Sequence, residues 1–170
     1  NKVIKLAKKL NVKKLSLASC PSRNFSNNKK ILYQYNLKLF KEFSKTASKN
    51  DITINLESVS LKYGNNFLNS PNETMAFIKK INRKNIKLLL DTGNCKSEKI
   101  NYKIFYLNYK KYISHIQLSD KDINNLNINS LKKELKFFND NNCTNTITIE
   151  YFSRNGGKIK KLCSAINPYI

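Results

Sequence analysis

Four short runs along the chain share one design. They are ITINLE (52–57), IKLLLD (86–91), ISHIQLSD (113–120) and TITIEY (146–151), each rich in β-branched residues or leucine and each followed by loop-type residues. A fifth run, KKLSLAS (13–19), is similar. A helix-period pattern follows every run except ITINLE, where a long loop intervenes. Strands alternating with helices predict β/α units in a parallel sheet. Residues i and i+2 of a strand share a face. Thr53, Asn55 and Glu57 therefore lie opposite Ile52, Ile54 and Leu56, and Thr146, Thr148 and Glu150 lie opposite Ile147 and Ile149. His115 and Gln117 share a third polar face. The apolar faces suit packing against helices, and the polar faces suit a barrel interior that opens into a site. The competing reading is an antiparallel sheet with one wet face. Helix-like segments between most of the strands argue against it.

The helical segments follow from spacing. Val3, Ile4, Ala7 and Leu10 predict a helix end over 1–10. Ile31, Leu32, Tyr35, Leu39, Phe40, Phe43 and Ala47 trace the stripe of a long helix over 29–48. CPSRNFSNN (20–28) reads as a loop. The loop SVSLKYGNNFLNSPN (58–72) is long enough to act as a lid, with Tyr63 and Phe67 as covering side chains. Further helices are predicted over 74–83, capped by Asn72, and over 98–111, 130–139 and 158–166, with strands at 86–91, 112–118 and 146–151. The chain reads as one domain over residues 1–170. Five parallel strands do not close a barrel, which takes about eight. Either the sheet is open or three units precede Asn1.

Composition changes this picture little. The 170 residues are enough for a core, and 40% are hydrophobic. No apolar run is long enough to span a bilayer, so no membrane role is expected. The net charge of +21 suggests anionic partners. Lysine carries nearly all of it, spread through every segment, so nucleic acid is disfavoured as a partner, while the charge would help attract anionic substrates. Cys20, Cys95, Cys143 and Cys163 form no CxxC pair, and a reducing cytoplasm is the expected location. Cys20 and Cys95 follow predicted strands and could border a site, although buried structural thiols are the favoured reading.

Three acids, Glu57, Asp91 and Glu150, stand where three different strands finish, the edge at which β/α barrels place catalytic groups. The order Glu57, Asp91, an H-x-Q strand (115–117) and Glu150 resembles the xylose isomerase-like barrels, and more narrowly the sugar phosphate isomerase/epimerase group. LNVKKLSLASCPSRN (10–24) is similar to that group's fourth-strand segment. ESVSLKYGNNFLNSPNETMAFIKKINRKNIKLLLDTGN (57–94) is similar to the stretch that follows it. The resemblance implies an α/β fold of the TIM barrel type, present here in part as strands four to eight with their helices. About 90 to 110 residues would then precede Asn1, counted as three β/α units.

The resemblance also implies a site. Glu57, Asp91 and Glu150 match three carboxylate metal ligands. Gln117 is the favoured fourth, as in the hydroxypyruvate isomerase branch, with His115 as the alternative. All-oxygen donors suit Mn²⁺ or Mg²⁺. Glu57 and Glu150 would also move the proton beside a substrate carbonyl. Asn94 stands where many members carry a substrate-touching His, and His115 would sit one layer deeper as a further substrate-side group. Lys121 could hold a substrate oxygen or phosphate, and SRNGG (153–157) resembles a phosphate-cradling turn. The expected activity is metal-dependent isomerisation or epimerisation of a small sugar, sugar phosphate or hydroxy-keto acid. Two alternatives stand beside it. One is a truncated or degenerate barrel without catalysis. The other is an abasic-site endonuclease, disfavoured because a histidine-rich zinc site cannot be built from one His. A homo-oligomer is compatible with the sequence but not set by it.

Overall fold

The computed structural model describes residues 2–18, 29–64 and 66–169. The elements run α1 (Lys2–Lys9), β1 (Lys14–Leu17), α2 (Lys29–Ser48), β2 (Thr53–Glu57), α3 (Pro71–Ile81), β3 (Ile86–Asp91), α4 (Thr92–Ser97), α5 (Tyr102–Tyr109), β4 (Ile113–Leu118), α6 (Ile128–Asp140), β5 (Thr146–Ile149) and α7 (Gly156–Ile166). All neighbouring strands pair in parallel, in the order β1-β2-β3-β4-β5. This excludes the antiparallel alternative.

The sheet is curled into a half-barrel. One side chain shows how far. Lys14 Nζ on β1 donates to the Ser114 carbonyl and to Thr146 Oγ1, both at 2.9 Å, on β4 and β5. In a flat sheet, β1 and β5 would lie about 19 Å apart at ~4.8 Å per strand, beyond the reach of a lysine. Ser114 Oγ likewise bridges β4 to Asn55 Oδ1 on β2, at 2.5 Å, across β3. A register shift between Leu88 and Leu89 on the β3–β4 ladder turns Ser114 toward this concave face.

The two faces differ as the alternation requires. Ile54, Leu56, Ile86, Leu88, Leu90, Ile116 and Leu118 are buried under the helices. Phe77 of α3 centres an edge-to-face aromatic cluster with Tyr33, Phe40 and Phe67, at centroid distances of 5.3, 5.6 and 5.2 Å. The concave face is polar, with Leu89 as its buried apolar member. Asn55 is fully buried there, and its Nδ2 has no acceptor among the described residues. Such an orphan donor costs on the order of 1–3 kcal/mol.

Several local expectations need correction. On α1 only Ile4 and Ala7 are buried, while Val3 and Leu10 are exposed. On α2, Ile31 and Tyr35 point outward, and Tyr33 and Leu37 take their place against the core. The buried stripe is shifted in phase because α2 also packs on α3, where the Tyr33 ring meets Phe67 and Phe77. The α3 helix starts at Pro71 and is capped by Ser70, not Asn72. Ser70 Oγ accepts from the Glu73 N–H, and proline at the first helical position needs no donor there. The helix expected over 98–111 is shorter, since 98–101 is not helical and α5 (Tyr102–Tyr109) begins only after its cap Asn101, while α4 (Thr92–Ser97), directly after β3, is an additional helix. Residues 20–28, including Cys20 and Arg23, lie outside the described residues. Among the described residues no helix is long and apolar enough to cross a membrane.

Candidate active site

β2 and β3 end on Glu57 and Asp91. β5 ends at Ile149, but the Glu150 N–H still donates to the Leu118 carbonyl at 2.9 Å, extending the ladder by one residue. All three acids line one pocket of about 240 Å³ at this edge, together with Asn94 of α4, Lys62 and Tyr63 of the loop after β2, and Ser119 and Lys121 of the loop after β4. Glu57, Asp91, Glu150, Asn94 and Lys121 are thus brought together as expected.

Asp91 is the most firmly placed of the acids. It caps α4, with Oδ1 accepting from the Asn94 N–H at 2.6 Å. Ser119 Oγ donates to both carboxylate oxygens, at 2.9 and 3.0 Å, and itself accepts from the Gly93 N–H. The approach leaves no room for a side chain at Gly93, since an added Cβ would meet the Asp120 carbonyl oxygen at 2.6 Å. Burial pushes the Asp91 carboxyl up to about 6 against the lowering effect of the Asn94 and Ser119 hydrogen bonds, and the nearby charge of Glu150 adds to the rise. Burial also raises Glu150 above the usual carboxylate range.

A second layer holds Ser119. Its N–H donates to Thr92 Oγ1, which donates to Glu134 Oε2 of α6 at 2.7 Å. Glu134 is buried, and Lys96 Nζ meets its Oε1 at 2.7 Å while also donating to the Ser119 carbonyl at 2.8 Å. Lys96 lies 3.6 Å from Asp120 as well. Asn94 Nδ2 donates to the Ser58 carbonyl at 2.6 Å, tying α4 to the loop after β2. Sequence reasoning missed Ser119, Glu134, Lys96 and Lys62. Each acquires its role from a residue 23 to 59 positions away, through strand adjacency that carries no local signal.

The other candidates fall elsewhere. Gln117 is level with Asp91 on the β3–β4 ladder but does not line the pocket. His115 sits deeper, with Nε2 2.9 Å from Thr148 Oγ1, and burial together with Lys14 holds its pKa below the ordinary value. The SRNGG turn is no phosphate cradle, because Asn155 Oδ1 already accepts from the Gly157 and Lys158 N–H groups. Cys95 faces the core, where burial pushes its thiol up to about 12, so it behaves as a structural residue.

By donor type the pocket fits a hard divalent cation, with three carboxylates at one edge and two of them close enough to repel. Among the described residues, however, no three His, Cys, Asp or Glu side chains converge into a coordinating cluster. The fit is one of chemistry rather than of an assembled coordination shell.

Residues 1–167 match the xylose isomerase-like TIM barrel family, and the chain belongs to it. Among solved structures, L-ribulose 3-epimerase is similar at a TM-score of 0.74 and 18% identity, over 96% of this chain and 57% of that one. An AP endonuclease, family 2, from Brucella melitensis reaches a TM-score of 0.80 at 16% identity, over 99% of this chain and 65% of that one. The IOLI protein with a bound zinc atom reaches 0.67 at 17% identity, over 99% and 68%. At these identities the likeness is one of fold. The chain spans less than two thirds of the length of the first two. No curated protein sequence matches it.

Proposed function

We propose that the chain carries the acid set of an isomerase or epimerase acting on a small hydroxy-carbonyl substrate of the sugar type. The observation that supports this most directly is the shared pocket of Glu57, Asp91 and Glu150. Glu57 approaches from one side of β3, and Glu150 from the far side of β4. One removes the proton beside the substrate carbonyl, and the other returns it to the opposite face. Burial favours the protonated form of Glu150 more than in a solvated carboxylate, which suits a group that must both gain and lose a proton. Asn94 offers an amide to a substrate hydroxyl, and Lys121 an ammonium to a substrate oxygen. Glu57, Asp91 and Glu150, with Gln117 as the expected fourth donor, would hold Mn²⁺ or Mg²⁺. A bound cation supplies Lewis-acid polarisation of the carbonyl. Free thiols such as the buried Cys95 accord with a reducing cytoplasm.

A second reading, a binding piece without turnover, draws support from Asp91. Its carboxylate is already engaged as a helix cap and by Ser119. One experiment separates the two. Mn²⁺ titrated calorimetrically into the chain should bind saturably, and Asp91→Asn should lose that binding. Solvent-deuterium exchange into ketose substrates should then be abolished by Glu150→Gln. A folded protein that binds no Mn²⁺, or an active Glu150→Gln variant, would sink the catalytic reading.

A further inference from the structure

Acids and bases are separated along the strand axis. Residues 74–90 and 99–119 contain no Asp or Glu. The acids that bound these stretches are Glu73 at the start of α3, Asp91 at the end of β3, Glu98 after α4 and Asp120 after β4, all toward the edge that carries the acid pocket. The opposite edge, where the strands begin, holds a cleft of about 250 Å³ between the α3–β3 turn and the turn that enters β4. Lys79, Arg83, Lys84, Lys87 and Lys111 line it with Tyr112, and no carboxylate does. We propose that this cleft is a binding site for linked phosphate groups, a di- or triphosphate, separate from the acid pocket and independent of the catalytic reading.

Three observations carry it. First, none of the five cations is in an ion pair among the described residues. Like charges around one cleft repel each other and draw in an anion. Second, three of the five are held in place. Lys79 Nζ lies 4.7 Å from the centroid of the Tyr109 ring, and Lys111 Nζ lies 5.3 Å from that of Tyr112. Lys87 Nζ donates to the Lys111 carbonyl at 2.7 Å, which ties β3 to the turn before β4 and leaves ammonium donors for a ligand. The planar fork of Arg83 matches phosphate oxygens in pairs. Third, a sister cleft at the same edge is built differently. It has a volume of about 440 Å³, lies between the α1–β1 and α2–β2 turns, and is lined by Lys8, Lys13 and Lys49. Asp51 lines it too and pairs with Lys13 at 3.0 Å, so that cleft carries its own counter-charge. The dipole of α3 accounts for Lys79 in its last turn. It does not account for Arg83 and Lys84 beyond the cap Asn82, for Lys87 on β3 or for Lys111. A lone phosphate, with roughly two charges, would leave most of the five cations uncompensated, whereas linked phosphates match them within a small volume.

The test titrates the 170-residue chain with inorganic tripolyphosphate, orthophosphate and ATP, without divalent metal and in about 0.15 M salt, which screens the diffuse attraction of a +21 chain. Tripolyphosphate should bind saturably at a single site, and orthophosphate at least about tenfold more weakly. Arg83→Gln and Lys84→Gln should each weaken tripolyphosphate binding about tenfold with Tm unchanged, since both side chains are exposed. Lys8→Gln and Lys49→Gln, in the sister cleft, remove the same charge and should leave the affinity intact. Equal affinity for ATP and tripolyphosphate supports the proposal with the phosphate chain alone as ligand, and tighter binding of ATP supports it with a nucleotide as the source. The proposal is overturned by absence of saturable binding, by orthophosphate as tight as tripolyphosphate, by unchanged affinity in Arg83→Gln and Lys84→Gln, or by equal losses in Lys8→Gln and Lys49→Gln. A single-stranded oligonucleotide that binds more tightly than tripolyphosphate and is lost in the same variants also overturns it, because the face would then be a nucleic-acid surface. Failure of the catalytic reading shows separately, as absent Mn²⁺ binding or absent proton exchange, and leaves this readout untouched.

Discussion

Asp91 and Glu150 belong to one pocket, but the chain holds them in opposite ways. Asp91 ends a central strand, is 3% exposed, and accepts hydrogen bonds from Asn94 and Ser119. Behind it, Thr92 and Lys96 of α4 and Glu134 of α6 join the two helices and the loop after β4 into one polar network. Glu150 follows the edge strand β5, whose residues alternate between exposed and half-buried, and its main-chain N–H donates to the Leu118 carbonyl. α7 beside it buries only Leu162 and Ile166. On the proposed function, the difference would separate two jobs. An anchor must not move, so its supports are buried and cross-linked. A group that exchanges protons needs water, room and a soft hold, and an edge supplies all three.

This contrast can be broken from the anchored side first. Glu134→Ala removes the carboxylate shared by Lys96 and Thr92 and should cost about 3 kcal/mol in urea unfolding, the low end for breaking a buried pair, because Lys96 is only partly buried and keeps the Ser119 carbonyl and Asp120. A loss under about 1 kcal/mol would show that the network is no anchor. The pH dependence comes next. The rise of the Asp91 carboxyl from the ordinary 3.8 to about 6 is worth on the order of 3 kcal/mol. Because the folded value is the higher, that stability is complete below about pH 4. It is lost as pH rises through about 6, where the folded chain must bury a charge. Metal-free wild type should therefore lose stability relative to Asp91→Asn between pH 4 and 7, and parallel curves would contradict the burial argument. Ser119→Ala removes one buried donor and should cost about 1–2 kcal/mol. The smallest effect is expected on the soft side. Glu150→Gln should shift stability by no more than about 0.5 kcal/mol, as surface changes do. A larger loss would mean that Glu150 is an anchor too and that the two acids differ less than their surroundings suggest.

Much of the fold was legible without the structure. The strands at 86–91 and 113–118 and the long helix over 29–48 follow from β-branched alternation and apolar spacing, which are local and strong. The break between α4 and α5 was not legible. Asn101 caps α5 through Oδ1, which accepts from the Lys103 and Ile104 N–H groups, but asparagine is so frequent in this chain that its presence marks no boundary by itself. The phase of α2 was misjudged for a related reason. Its sequence offers several apolar residues around the helix, and the packing of α2 against α3 as well as the sheet selects which of them are covered.

The acids themselves lay open to a reader of the sequence, because a carboxylate at a strand terminus is a one-dimensional fact and parallel β/α units put all such termini on one edge. Which acid is gripped, which is loose and which lysines share their pocket were decided in three dimensions. Ser119 reaches Asp91 across 28 positions and Lys62 reaches Lys121 across 59. Those contacts exist because parallel pairing sets β3 between β2 and β4, and the curl of the sheet draws their loops over one small pocket.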